Sequence, residues 1–226
     1  MPRRSYDQYC AVARALDVVG DRWTLLIVRE LLGGARRYTD LHTDLPGVST
    51  DMLASRLKDM EREGLVTRRR LAPPGAAFVY ELAPRGQELL PVLTALADWG
   101  APALGDPRPT DAVRAHWFAV PLLTRLAAHF AGDPGTPAAP GAGVLDIVLD
   151  EGTFHVTLAG DTPIYGDGPA PESDVSLRMT TATCVDVAYD HVSFAQALES
   201  GRIEATPCGE TGGAASAGTR GEGGAS

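Results

Sequence analysis

The chain has 226 residues, 44% of them hydrophobic, with 20 Lys/Arg against 29 Asp/Glu for a formal charge of −9. This length suits one large domain or two small ones with real cores, and three scattered cysteines are too few for a disulfide framework or a metal-spaced set. No run approaches the roughly 18–20 apolar residues of a membrane span, and residues 1–7 are polar, so a cytoplasmic protein with free thiols and no secretory signal is expected.

Charge is unevenly placed. Residues 1–100 hold 14 Lys/Arg and 13 Asp/Glu, whereas residues 101–226 hold 6 and 16. Acidity thus belongs to the second half, which should face away from any nucleic acid, while the first half keeps local basic clusters that can attract phosphate.

In chain order, residues 10–19 read as a helix with Val12, Leu16 and Val19 on one side, ended by Gly20. Asp21 can cap the next helix, 22–32, which is apolar nearly all round and so central to a small core. Gly33-Gly34 stops it. A short helix at 38–45 follows, and Pro46-Gly47 turns the chain. Residues 50–63 form a helix with Ser49 as N-cap, Asp51 in the first turn and Leu53, Leu57 and Met60 on one face. Gly64 ends it. Strands at 65–71 and 77–82 flank the turn APPGA, and 84–99 is helical in pattern. Two tandem helices ahead of a basic hairpin make a winged helix-turn-helix.

A helix fits the major groove with its polar face on base edges, so the helix after Ser49 is the expected reader. Ser49, Thr50, Asp51 and Ser55 sit near its start, with Arg56, Lys58 and Arg62 further along. Asp51 can accept from a cytosine amine or simply cap the helix. Arg36 and Arg37 precede the positioning helix, where phosphate contact is natural. Arg68, Arg69 and Arg70 climb the wing, and strand alternation puts Arg69 on the opposite face from the other two. Each charge taken singly reads as ordinary solvation; Lys58 could also pair with Glu61 along the helix. Double-stranded DNA is the expected partner because of the whole arrangement.

Residues 101–110, rich in Pro and Gly, read as a linker between a DNA-binding domain at 1–100 and a second domain at 111–207. A helix at 111–130 contains Pro121, implying a kink or break. Residues 132–143 are a flexible spacer. Strands are expected at 144–149, 153–158 and 175–179, helices at 182–189 and 194–199, and a returning strand at 202–205, an α+β pattern. Residues 208–226, rich in Gly, Ala, Ser and Thr, are an expected disordered tail.

Cys10-Ala11-Val12, ALDVVGDRWTLLIVRELLGGARRYTDL, LPGVSTDMLASRLKDMEREGLVTRR and VYELAPRGQELLPVLTALADW resemble the HxlR family of winged helix-turn-helix transcriptional regulators, over about residues 8–100. The resemblance implies a homodimer on a roughly palindromic operator, most often as a repressor. The dimer would form through the first helix and the helix at 84–99. STDMLASRLKDME corresponds to the recognition helix with its cap, and RRRLAPPGAAFVYEL to the wing. Some members sense electrophiles or oxidants through a cysteine where Cys10 stands, although Ala11 replaces the proline that often follows it. A thiol near a helix start can have a lowered pKa; the alternative is a small packed hydrophobe. Cys184 reads as core.

DVSLRMTTATCVDVAY and ALESGRIEA are similar to the sterol carrier protein 2 (SCP2) fold, a sheet covered by helices around an apolar tunnel, with YDHVSF as a departure. This implies an apolar small-molecule effector, with Trp117, Phe118, Leu122, Phe154, Val156, Val187 and Tyr189 as candidate lining residues. The alternative for these is a filled core. His155 and His191 could reach a ligand. His116 and His129 show no metal spacing, and no nucleophile with an oriented base is visible, so neither a cofactor nor an enzyme is expected. The competing readings are a small-molecule carrier or enzyme with an N-terminal adaptor, and a regulator whose second half only braces the dimer.

Overall fold

The computed structural model describes residues 5–72, 77–131, 143–159 and 163–208. The wing tip at 73–76, most of the expected spacer, and the tail beyond 208 lie outside the described residues.

The first half comprises α1 (Ala11–Val19), α2 (Thr24–Leu32), β1 (Arg36–Arg37), α3 (Tyr38–Asp44), α4 (Thr50–Arg62), β2 (Val66–Arg70), β3 (Phe78–Leu82), α5 (Pro84–Gln87) and α6 (Leu90–Gly100). Its sheet runs β1-β3-β2, all antiparallel, with Arg36 opposite Tyr80 and Arg68 opposite the same residue on the other side. Ile27, Leu31, Leu41, Leu45, Leu53 and Leu57 are all at most 2% exposed. Each such side chain contributes roughly 1.5–3 kcal/mol of transfer free energy, so α2, α3 and α4 hold one another by apolar contact. Local signals set the ends. The Asp21 carboxylate accepts from Trp23 N at 3.0 Å, Ser49 Oγ accepts from Met52 N at 3.3 Å, and Gly64 takes φ +70, which glycine adopts without strain.

The expected helix at 84–99 is two helices, because the chain turns at Glu88 and Leu89 before Pro91 enters the first turn of α6. Proline costs nothing there, since first-turn N–H groups have no intrahelical partner.

The C-terminal domain comprises a 3-10 turn (Ala115–Phe118), α7 (Ala119–Ala131), β4 (Val144–Leu149), β5 (Gly152–Thr157), β6 (Ile164–Asp167), β7 (Val175–Arg178), α8 (Thr181–Ala188), α9 (Phe194–Glu199) and β8 (Glu204–Pro207). The sheet is mixed, ordered β6-β5-β4-β7-β8, with β4 and β7 parallel and every other pair antiparallel. Leu145, Ile147, Phe154, Val156 and Leu177 line its buried face, with Leu122, Leu126, Cys184 and Val187 from the helices among the same cluster. Residues 111–114 are not helical. α7 starts at Ala119, so Pro121 falls in its first turn and breaks nothing, a correction to the expected kink.

The two halves share a single apolar cluster. Tyr165 of β6 donates its hydroxyl to the carbonyl of Arg29 at 2.6 Å, in the last turn of α2 where helix carbonyls lack intrahelical donors. Gly33 permits the approach: a Cβ there would lie 2.9 Å from Tyr165 Cε2.

Candidate nucleic-acid interface

α3 and α4 are tied together at their first residues. Tyr38 Oη donates to the carbonyl of Thr50 at 2.7 Å, fixing the start of α4 relative to α3. Arg37 N donates to Asp40 Oδ2 at 3.3 Å and so anchors the start of α3. α4 buries Leu53, Leu57 and Met60 and turns Thr50, Asp51, Ala54, Ser55 and Lys58 to solvent. Its first-turn amides and the positive end of its dipole face outward with Thr50 and Asp51, an arrangement suited to phosphate.

The sequence-predicted residues divide into two groups. Arg37, Ser49, Thr50, Asp51, Ser55, Lys58 and Arg70 are exposed. Lys58 forms no ion pair with Glu61 among the described residues; its ammonium stands in solvent. Arg62 is largely exposed but lies 2.9 Å from Asp59. On the wing, strand alternation separates the arginines as expected. Arg68 stacks over Phe78 at 3.9 Å, while Arg69 pairs with Glu81 at 3.2 Å.

Two arginines expected to reach DNA are held by the protein. Arg56 bonds Asp21 Oδ2 at 2.7 Å and lies 3.4 Å from Asp59, so its guanidinium ties α4 to the turn before α2. Arg36 is drawn inward, with only 12% of its side chain exposed, 2.9 Å from Asp167 and 3.5 Å from Asp44. Carboxylates on several sides outcompete water for that guanidinium.

Arg36 belongs to a buried charged cluster that local spacing did not reveal. Glu30 is 1% exposed on α2. Its carboxylate accepts from Arg29 at 2.7 Å and from Trp117 Nε1 at 2.9 Å, and meets His116 Nε2 at 2.7 Å. His116 Nδ1 lies 3.3 Å from Asp167, and Arg114 reaches Asp44 at 3.1 Å. Burial pushes the Glu30 carboxyl up, but the hydrogen bond from His116 and the charges of Arg29 and His116 outweigh it and hold it below the usual range. Burial likewise pushes the His116 imidazole down, and its hydrogen bonds to Asp167 and Glu30, with their charges, leave it raised. The hydrogen bond from His116 depresses Asp167 to about 2. The one hint in the sequence was an acid inside a helix apolar nearly all round: such a charge is buried and must find a partner. Glu30, Asp44 and His116 do offer ligand atoms within 4.8 Å of one another. Arg36 already stands among them, 3.4 Å from His116 Nε2, so the cation at this place belongs to the chain itself.

Residues 18–106 match the HxlR-like helix-turn-helix family. The chain is 35% identical over 86 residues to the HTH-type transcriptional regulator YvaP of Bacillus subtilis, an alignment covering 38% of this chain and 80% of that protein. It is 34% identical over 94 residues to the regulator YtfH of Escherichia coli, covering 42% and 75%. The chain belongs to the HxlR-like helix-turn-helix family.

The family's members are transcriptional regulators rather than enzymes. The family match ends at residue 106, so the C-terminal domain lies beyond the HxlR-like unit. No helix of the described residues is long and apolar enough to cross a membrane.

The residues expected to line an effector cavity are packed instead. Leu122, Phe154, Val156 and Val187 are at most 1% exposed within the core, and Phe118 and Tyr189 pack against it. Trp117 stacks under Arg29 at 4.2 Å and serves the Glu30 cluster. His155 Nδ1 is engaged by the Gly168 carbonyl at 2.9 Å. An open cleft of about 640 Å³ lies elsewhere, bordered by Val148, Asp150, Arg178, Met179, Thr183 and Arg202. Cys184 is buried and its thiol pushed up to about 12 by burial. Cys10 is exposed at the N-cap of α1, where the alternative of a packed hydrophobe had placed it inside.

Proposed function

We propose that this protein is a homodimeric transcriptional repressor that reads duplex DNA with α4 and the wing. The observation that carries the reading is the exposed polar edge of α4, from Thr50 to Lys58, beside the exposed Arg37 and Arg70. Of the residues singled out in the sequence, Ser49, Thr50, Asp51, Ser55 and Lys58 then serve base or phosphate contact. Arg37, Arg62, Arg68 and Arg70 supply phosphate contact. The reading unit spans 1–100, a connector 101–110, and an accessory domain 111–207.

Dimerisation is supported by the apolar residues that α1 and α6 turn to solvent: Val12 and Leu16 on the first, Val92, Leu96 and Trp99 on the second. A monomer rarely leaves such residues uncovered on two helices, and a second copy would cover both. An SCP2-like origin for the accessory domain is supported by its one-sided sheet covered by α7, α8 and α9. The filled core favours the role of a brace over that of an open apolar tunnel.

The test is a salt-dependent titration of a duplex enriched by the wild-type protein from a random pool. Alanine at Arg37, Lys58 or Arg70 should weaken binding and reduce the slope of log K against log salt by roughly one for each phosphate the side chain neutralised. Unchanged affinity and slope in all three variants would sink the assignment.

A further inference from the structure

Arg36 lies where four elements converge. Its backbone is in β1, paired with Tyr80 of the wing. Its NH1 is 2.9 Å from Asp167 at the end of β6 and 3.5 Å from Asp44 at the end of α3. Its NH2 is 3.4 Å from His116 of the 3-10 turn and 3.9 Å from Glu30 of α2. Asp44 is held in turn from the C-terminal side by Arg114.

We infer that Arg36 is a positioning residue for DNA reading: its guanidinium fastens β1 and α3 to the C-terminal domain. This rests on the DNA-reading role proposed above and adds a route by which the accessory domain controls it. Two connections leave the latch. One runs through the β1–β3 pairing into the wing. The other runs from Asp44 along α3 to the Tyr38–Thr50 bond at the start of α4. Both end on the surface offered to DNA, and neither requires Arg36 to touch a phosphate. A shift of Asp167 and His116 relative to α2 therefore cannot occur without re-aiming the wing or α3, since packed elements move as discrete bodies. Anything that favours one placement of the C-terminal domain then favours one geometry of the reading surface.

The experiment uses the full chain with the enriched duplex and compares Arg36→Ala, Arg36→Lys, Asp167→Asn and the Arg36→Ala/Asp167→Asn double variant at several salt concentrations. Asp167 belongs to the acidic half, and neutralising it should strengthen phosphate attraction if charge alone mattered. Arg36→Ala and Asp167→Asn should instead each weaken binding by about fivefold or more, with the salt slope unchanged. The double variant should bind no more weakly than the worse single one, because both remove the same interaction. Arg36→Lys should restore part of the affinity. A reduced slope in Arg36→Ala together with unchanged or tighter binding by Asp167→Asn would overturn the inference in favour of a phosphate contact, and additive effects would overturn it too. A wild-type protein that enriches no duplex overturns the regulator reading itself and this role with it, a result distinct from the other two.

Discussion

The carboxylate of Glu30 and the imidazole of His116, 86 residues apart in the chain, meet at 2.7 Å in a buried site. One belongs to the core helix of the HxlR-like unit and the other to the turn that opens the C-terminal domain. Their contact makes the two halves structurally dependent on each other despite the Pro/Gly-rich connector between them. A buried charge of this kind does little for net stability when paired and costs heavily when its partner is removed.

Replacing Glu30 with Ala removes the acceptor shared by Arg29, His116 and Trp117. The expected loss is about 3–5 kcal/mol, the range for breaking a buried ion pair from one side. Urea denaturation followed by Trp fluorescence would read it as a lower midpoint. A midpoint equal to wild type would show that the site is not dry.

The cluster also sets a pH window. His116 has a raised pKa in the fold, so its contribution is fully present below the ordinary histidine value and is lost as pH rises through the raised one. Asp167 is depressed to about 2, so its contribution is present above the ordinary carboxylate range and is lost as pH falls toward that value. Stability should therefore decline on both sides of a plateau, and His116→Gln should remove the alkaline limb and also shrink the acidic one, because the His116 hydrogen bond is the main cause of the depressed Asp167 carboxyl. Denaturation midpoints measured across pH would check this, and an alkaline limb surviving in the variant would assign it to another group.

Trp99 is 81% exposed on α6. Trp99→Glu should leave the fold of the single chain intact and weaken self-association by ~30-fold, the usual effect of removing an interface anchor. Sedimentation at several protein concentrations distinguishes this from a wild-type chain that never dimerises, which would show no change.

Arg56 and Lys58 differ by two positions on α4 and should differ in kind. Lys58→Ala should lower the salt slope of duplex binding by roughly one if its ammonium meets a phosphate. Arg56→Ala should leave the slope unchanged and lower stability by about 1–3 kcal/mol, because its charge-assisted bond to Asp21 is gone. Duplex titration and urea denaturation on the same two variants separate these outcomes.

The helix-turn-helix and its wing were legible from residue order alone because their determinants are local. Leu53, Leu57 and Met60 repeat at helical spacing, Ser49 caps, Gly64 terminates, and the alternation of Arg68, Arg69 and Arg70 assigns faces by strand geometry. The short strand β6 escaped notice because its four residues, IYGD, hold only two large apolar side chains, and its Gly166 is packed beneath the His155 ring. Spacing could place Arg36 and Arg56 beside the expected DNA surface, but it could not say which way their side chains turn. That direction depends on carboxylates brought near by folding: Asp21 from 35 residues earlier for Arg56, and Asp167 from the C-terminal domain for Arg36. Helical period and capping are properties of neighbouring residues and survive in the bare sequence. The partner of a buried charge is chosen by the packing of distant segments, and only the tertiary structure decided it.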